Sequence, residues 1–190
     1  MIAAVVLAAG ESSRLGRPKQ LLPRRGRSLL RHAVDCATVA GCEPVVVVLG
    51  AGAEEMRGAL SGAGARPVVN ADWRSGLGSS VRAGVAALAS SAAGVRAVLL
   101  LACDQPRLEP VVLRRLVAAF DRGARIAACG YAGTVGVPAL FDRALFDELL
   151  ALDGREGARS VLRAHAAEVT AVPWPEGAVD VDTPEDLERL

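Results

Sequence analysis

The chain has 190 residues, enough for one domain that buries most of the surface its unfolded form exposes. A formal net charge of +1 gives the whole-protein field little hold on nucleic acid or an anionic membrane, which sets those partners aside. Hydrophobic residues make up 52% of the chain and aromatic ones only 3%, so the core is one of Val, Leu and Ala, as in parallel strands covered by helices on both faces.

The opening apolar run, residues 2–8, reads as a strand that breaks into a small-residue loop at Gly10. Residues 28–40 read as a helix with Leu29, Leu30, Ala33, Val34 and Ala37 on one face and Gly41 just past its end. A second buried strand is expected at 45–49, a short helix at 54–60 and a third strand at 67–70. The polar, glycine-rich stretch 70–78 is a loop, and Ser79 or Ser80 is expected to cap a helix running to about residue 89. Residues 95–102 form the expected central strand, and Pro110 suits the first position of a helix ending near Gly123. Beyond it the pattern gives a strand at 126–130, an extended piece at 137–140, helices at 142–152 and 157–166, and strands at 168–172 and 179–182. The chain closes with Thr183 as an N-cap, Pro184 at the first helical position and Asp186 completing a capping box. This alternation predicts a three-layer α/β/α, Rossmann-like fold around a mostly parallel sheet, in a single domain over residues 1–190.

Cys36, Cys42, Cys103 and Cys129 form no CxxC pair and no zinc-site spacing, so they are read as core thiols. No apolar run approaches the ~20 residues needed to cross a bilayer, and no charged n-region precedes the first strand. The protein is expected in the cytoplasm.

The loop after the first strand carries the chemistry. A glycine-rich turn leaving a strand exposes backbone N–H groups, and Arg14 and Lys19 beside it make a site for a polyphosphate. Between Arg14 and Arg31 stand seven basic residues and no acidic one, of which Arg24, Arg25 and Arg27 read as solvated. Two common nucleotide loops are excluded by spacing. Gly10 and Gly16 are separated by five residues and Lys19 is followed by Gln20, so there is no Walker A loop; after Gly50 and Gly52 the third glycine position of a dinucleotide fingerprint holds Glu55. Acidic residues stand at expected strand ends, where open α/β sheets bind their ligands. Asp104 directly follows a buried run, a costly place for a carboxylate unless it faces a cleft or a cation. Asp180 and Asp182, two apart on the same face of an expected strand, are both candidates. His32 and His165 fall in expected helices and are read as structural.

LAAGESSRLGRPKQLLP at residues 7–23 resembles the signature LAAGxSxRxGxxKxLLP of the nucleotidyltransferase superfamily. Over nearly the whole chain the similarity is nearest to the molybdenum cofactor cytidylyltransferase branch of the MobA-like NTP transferases. It runs through that loop, SGLGSS at 75–80, CDQP at 103–106, GVPALF at 136–141, GREGARSVL at 154–162 and DVDTPEDL at 180–187. The resemblance implies Mg²⁺-dependent transfer of CMP from CTP to the terminal phosphate of molybdopterin, with loss of pyrophosphate. It implies an NTP-binding half at about 1–105 and an acceptor-binding half at about 106–190. Leu7, Ala8, Ala9 and Gly10 would border the nucleotide, Arg14 would neutralise the β- and γ-phosphates, and Lys19 would meet the α-phosphate. Asp104 and Asp182 would hold the metal, with Asp180 the alternative for the second ligand. Gly78, Ser79 and Ser80, with Gly84 beyond them, would lie against base and ribose, and Trp73 is a candidate to pack on a ligand. The acceptor phosphate is already ionised near neutral pH, so no dedicated general base is implied. A molybdoenzyme or its chaperone would be the downstream partner. Guanylyl transfer and a sugar phosphate or other phosphorylated acceptor are the alternatives within the fold. A non-catalytic nucleotide-binding module is the alternative from another class, and retention of Arg14, Lys19, Asp104 and Asp182 together argues against it. Two positions depart from the branch: Val137 stands where members often carry His before Pro, and Arg155 replaces the Asp of GDxGAR.

Overall fold

The computed structural model describes residues 1–90 and 94–189. The strands in chain order are β1 (Ile2–Ala8), β2 (Pro23–Arg24), β3 (Arg27–Ser28), β4 (Val45–Leu49), β5 (Arg66–Val69), β6 (Ala97–Ala102), β7 (Ile126–Tyr131), β8 (Thr134–Asp142) and β9 (Val169–Pro173). β2 and β3 form a small hairpin, and the other seven make one sheet in the order β5-β4-β1-β6-β8-β7-β9. Only the β6–β8 and β7–β8 pairs are antiparallel, so the sheet is mostly parallel, as expected.

Every residue of β1 and β4 is buried, because helices cover both faces. Alternate residues of β1 serve opposite layers: Ala4, Val6 and Ala8 pack under α1 (Leu29–Val39) and α4 (Pro110–Asp121), with Met56 of α2 (Ala53–Ala59). Ala3, Val5 and Leu7 pack under α3 (Leu77–Ala89), α5 (Phe146–Leu150) and α6 (Arg159–Ala164). Burying each such Val, Leu or Phe stabilises the fold by about 1.5–3 kcal/mol. Gly84 sets how closely α3 lies on the sheet, since a Cβ there would overlap Val5 Cγ1 and come within 3.0 Å of Val48 Cγ2.

Several expectations about local structure are corrected. The strand expected at 179–182 is extended chain making one sheet-directed backbone bond, Val181 N–H to the Asp104 carbonyl at 3.0 Å. The reason is topological: β1 and β8 already flank β6, so the segment can reach only the chain beyond its end. Ser79 and Ser80 lie inside the first turn of α3 rather than capping it, and their hydroxyls accept from Asn70 Nδ2 at 2.8 and 3.1 Å. The piece expected at 137–140 is the nine-residue strand β8, because Ala132 and Gly133, both at positive φ, turn the chain straight back from β7. The helix expected at 142–152 is a 3-10 turn followed by α5, with the Asp142 carboxylate accepting from Ala144 N–H at 2.8 Å. The C-terminal helix is a 3-10 helix, Pro184–Arg189, where the Asp186 carboxylate reaches back to the Thr183 N–H at 2.9 Å.

Arg24 is not solvated but buried, reaching His32 Nε2 at 3.1 Å and Glu109 at 3.5 Å. Arg25 is exposed and meets the same Glu109 carboxylate, while Arg27 pairs with Asp35. All four cysteines are free and buried. Burial pushes the Cys42 thiol up to about 11 and that of Cys36 up to about 12, which leaves them un-ionised packing groups. His32, in α1, meets the Leu108 carbonyl at 2.8 Å; His165, just past the end of α6, sits between Glu148 and Glu168. No helix among the described residues is long and apolar enough to cross a membrane.

Candidate active site

Leu7 at the end of β1 pairs with Ala102 at the end of β6, so the loops that leave these strands emerge side by side. The first loop is held from beneath by Gln20. Its side chain is buried, with Nε2 donating to the carbonyls of Ala8 at 3.0 Å and Gly10 at 2.7 Å and Oε1 accepting from the Ser12 hydroxyl at 3.3 Å. Ser12 adopts φ 58°, and its hydroxyl also accepts from Lys19 N–H at 3.1 Å, closing the loop on itself. The outer loop residues Gly10 and Glu11 are exposed.

Lys19 is thereby aimed across the loop at two carboxylates. Its Nζ donates to Asp104 Oδ2 at 2.5 Å and to Asp182 Oδ1 at 2.7 Å. Arg14 Nη2 completes the cluster on Asp182 Oδ2 at 2.8 Å, with 70% of its own side chain exposed on the rim. The backbone bond from Val181 to Asp104 and the burial of Val181 with Leu15, Leu22 and Leu29 bring Asp182 here from the far end of the chain. Burial by itself pulls the pKa of Lys19 down, but the Asp104 charge and the hydrogen bonds that Lys19 donates to both carboxylates outweigh it, and the ammonium is held above the ordinary lysine value. For Asp182, burial acts upward and is overcome by the Lys19 and Arg14 contacts, which hold the carboxyl below its usual range. Among the described residues no ion pair holds Asp180. Burial first, then the like charges of Asp104 and Asp182, raise its pKa, and it lies in the neighbouring cleft rather than in the cluster.

Two clefts meet at this point. The first, about 620 Å³, is bordered by Leu7, Ala8, Ala9, Gly10, Lys19, Trp73, Ser80 and Asp104 among others. The second, about 660 Å³, is bordered by Tyr131, Gln105, Asp180 and the arginines Arg155, Arg159 and Arg163. Leu7, Leu77, Ala102, Asp104 and Val137 border both, so Asp104 stands at the junction. Gly78 and Ser79 border neither. Ser79 Oγ is tied to the Gly76 carbonyl at 2.7 Å, and Gly78 packs against the backbone of residues 153–156, which locks the start of α3 to the loop carrying Arg155. Trp73 borders the first cleft with the Arg74 guanidinium 4.3 Å above its ring. Gly50 lets that ring approach the loop, because a Cβ there would come within 2.6 Å of the Ala9 carbonyl and 2.8 Å of Trp73.

Sequence reasoning missed Gln20, Tyr131, Gln105 and Arg159. For Gln20 the signal lay in its place directly after Lys19 in the loop; for Gln105 and Arg159 it lay in CDQP and GREGARSVL, which were read only for Asp104 and for the departure at Arg155. Among the described residues no three His, Cys, Asp or Glu side chains gather to hold a metal ion. Asp104 and Asp182 nevertheless converge on one cation, the Lys19 ammonium. Two carboxylates of this kind, with the remaining oxygens drawn from phosphate and water, suit a hard divalent ion.

Known proteins share this architecture. The chain is 36% identical, over its full length and 96% of the relative, to nicotine blue oxidoreductase of Paenarthrobacter nicotinovorans. Its structure is similar to that of Rv0371c from Mycobacterium tuberculosis in complex with manganese, with TM-score 0.80, 35% identity, and 100% and 97% of the two chains covered. It is also similar to a nucleotidyl transferase from Methanothermobacter thermautotroptrophicus, with TM-score 0.83, 29% identity, and 100% and 95% covered. The model of the MobA-like NTP transferase domain matches residues 4–169, and with its nucleotidyltransferase-type α/β fold this chain belongs to that family.

Proposed function

We propose that the protein transfers CMP from CTP to the terminal phosphate of molybdopterin, in a reaction that depends on Mg²⁺ and releases pyrophosphate. The observation that carries the reading is the position of Asp104, shared by two clefts and pressed against Lys19, which is bonded to Asp182 as well. A nucleotide in the first cleft and an anionic acceptor in the second would meet at that carboxylate. Arg155 and Arg159 of the second cleft would give a phosphorylated acceptor its counter-charge, while Arg163 is paired with Glu156.

An acceptor phosphate oxygen attacks the α-phosphorus, the bond from that phosphorus to the bridging oxygen breaks, and pyrophosphate leaves with the electron pair. Lys19 swings from the carboxylates toward the α-phosphate and offsets its growing charge; Arg14, free to move on the rim, follows the departing phosphates. Asp104 and Asp182 would hold the divalent ion, which when bound would supply positive charge against the phosphates. Trp73 and Ser80 form the wall left for base and ribose. Gln20 borders the first cleft and positions the loop through its bonds to the Ala8 and Gly10 carbonyls. Gln20→Leu leaves the Ala8 and Gly10 carbonyls short of a donor, at about 1–3 kcal/mol each, so nucleotide kcat/KM should fall by about tenfold or more with a lower melting temperature. Steady-state kinetics with melting curves check this, and an unchanged kcat/KM removes Gln20 from the assignment.

The test is pyrophosphate release with Mg²⁺ and molybdopterin, comparing CTP, GTP, ATP and UTP. CTP-selective release is expected. Selectivity for GTP moves the protein to guanylyl transfer, and release with sugar phosphates alone replaces the acceptor. Silence with every nucleotide and acceptor, while Mg²⁺-nucleotide binding persists, overturns transfer and leaves a nucleotide-binding module.

A further inference from the structure

Gln105 follows Asp104 directly but faces only the second cleft. Its side chain is 6% exposed, and Nε2 donates to two carbonyls, Val137 O at 3.1 Å and Gly177 O at 3.3 Å. Carbonyls only accept, so these contacts fix which end of the carboxamide is nitrogen and leave no freedom to flip it. Oε1 is then a buried acceptor with no donor among the described residues. The neighbouring Tyr131 hydroxyl does not serve it, because its proton goes to Val137 O at 2.9 Å. A buried oxygen left without a donor is uncommon in a folded protein, and this one belongs to a cleft wall. The same cleft is lined by Tyr131, Val137, Ala158 and Leu162, with Arg155 and Arg159 also on its border.

Building on the transfer reading above, we infer that Gln105 Oε1 reads the acceptor: it takes a hydrogen bond from an N–H on a flat heterocyclic group whose other end carries the phosphate. Gln105 is therefore a specificity-determining residue. A group offering only acceptors at that point would leave two facing oxygens unpaired and be rejected, whereas a purely apolar group would leave Oε1 as it is in the free protein. The carbonyl of Val137, one of the positions that departs from the branch pattern, takes part by holding both Gln105 and Tyr131 in place.

The chain has two glutamines, Gln20 and Gln105, so glutamine-selective carbon labelling gives two carboxamide signals. Molybdopterin added anaerobically to protein already holding Mg²⁺ and a non-hydrolysable CTP analogue should shift the Gln105 signal. In parallel, calorimetry should show Gln105→Met binding molybdopterin about tenfold more weakly than wild type, the loss of one hydrogen bond, with affinity for the CTP analogue unchanged. If wild type binds molybdopterin with the Gln105 signal unmoved, or Gln105→Met binds it equally well, the inference is overturned while the transfer reading stands. If wild type fails to bind molybdopterin at all, that acceptor and the contact inferred for it fall together. Should Gln105→Met lose the CTP analogue as well, the variant is misfolded and the wild-type signal decides.

Discussion

Asp104→Asn is expected to lower pyrophosphate release by about a thousand-fold or more while the protein stays folded. The exchange keeps the shape of the side chain and removes its charge. Lys19 retains Asp182 at 2.7 Å, so the ammonium is not stranded, and the lost charged hydrogen bond costs stability of only about 2 kcal/mol. Turnover has no such reserve, because Asp104 is the one carboxylate common to both clefts. Lys19→Met attacks the same cluster from the other side. It should reduce turnover by about a hundredfold or more and leave Asp104 and Asp182 without the cation between them. Asp182, held below its usual pKa in wild type, contributes stability that is present above its unfolded value and lost as pH falls through the folded one. Much of that contribution goes with Lys19, so the melting deficit of Lys19→Met should be largest near neutrality and close in acid. Mn²⁺ without nucleotide should raise the melting temperature of Lys19→Met more than that of wild type. A melting series over pH with and without Mn²⁺, beside pyrophosphate kinetics, reads all of these. Asp104→Asn turning over at the wild-type rate sinks the assignment.

What the sequence made legible follows from where local signals and tertiary constraints agree. β1, β4 and β6 were readable because continuous apolar runs bounded by glycine or polar loops have few other uses in a chain this poor in aromatics. The helix expected from residue 28 begins there because Ser28 caps it, its hydroxyl accepting from Arg31 N–H at 3.1 Å, a local contact. Ser79 and Ser80 carried the same local signal and were misread, since Asn70 claims their hydroxyls from outside the helix. The stretch 179–182 has the alternation of a strand yet finds no free edge, a fact held in the strand order and not in the stretch itself. At the site, Lys19 stood out as a cation beside the glycine-rich loop, and Asp104 and Asp182 as carboxylates at expected strand ends, and the structure gathers them within hydrogen-bond distance. Arg14, expected on the triphosphate beside Lys19, stands on the rim and reaches the cluster through Asp182. Gln20 and Gln105 were missed because each acts through backbone carbonyls that only the folded chain brings near.

Gly78→Ala should separate the two clefts kinetically. Gly78 sits in ordinary helical backbone, so the obstacle is contact and not strain in its own dihedrals. An added Cβ would overlap the Asp153 carbonyl oxygen and come within 2.6 Å of that of Glu156, both backbone atoms that cannot swing aside. The same interlock recurs next door, where Gly78 N–H donates to the Gly154 carbonyl at 3.1 Å and a Cβ on Gly76 would overlap that carbonyl too. The loop under pressure is itself stiff: Asp153 Oδ1 accepts from Arg155 N–H at 3.1 Å and Glu156 N–H at 3.0 Å, so it moves as a unit. Its movement carries Arg155 away from the second cleft and shifts the start of α6 at Arg159, while Lys19 and the loop beneath it are tied to Gln20 on the other side. The expected result is a stability loss of about 1–3 kcal/mol and an acceptor KM raised by about tenfold or more, with nucleotide KM changed far less. Gly10→Ala is the comparison, since its Cβ would meet no atom within 4 Å and the acceptor KM should stay put. Varying each substrate in turn for the two variants measures this. Equal KM changes for both substrates in Gly78→Ala would mean that the loop at 153–157 serves the nucleotide as much as the acceptor, and that the clefts are not the separate sites their linings describe.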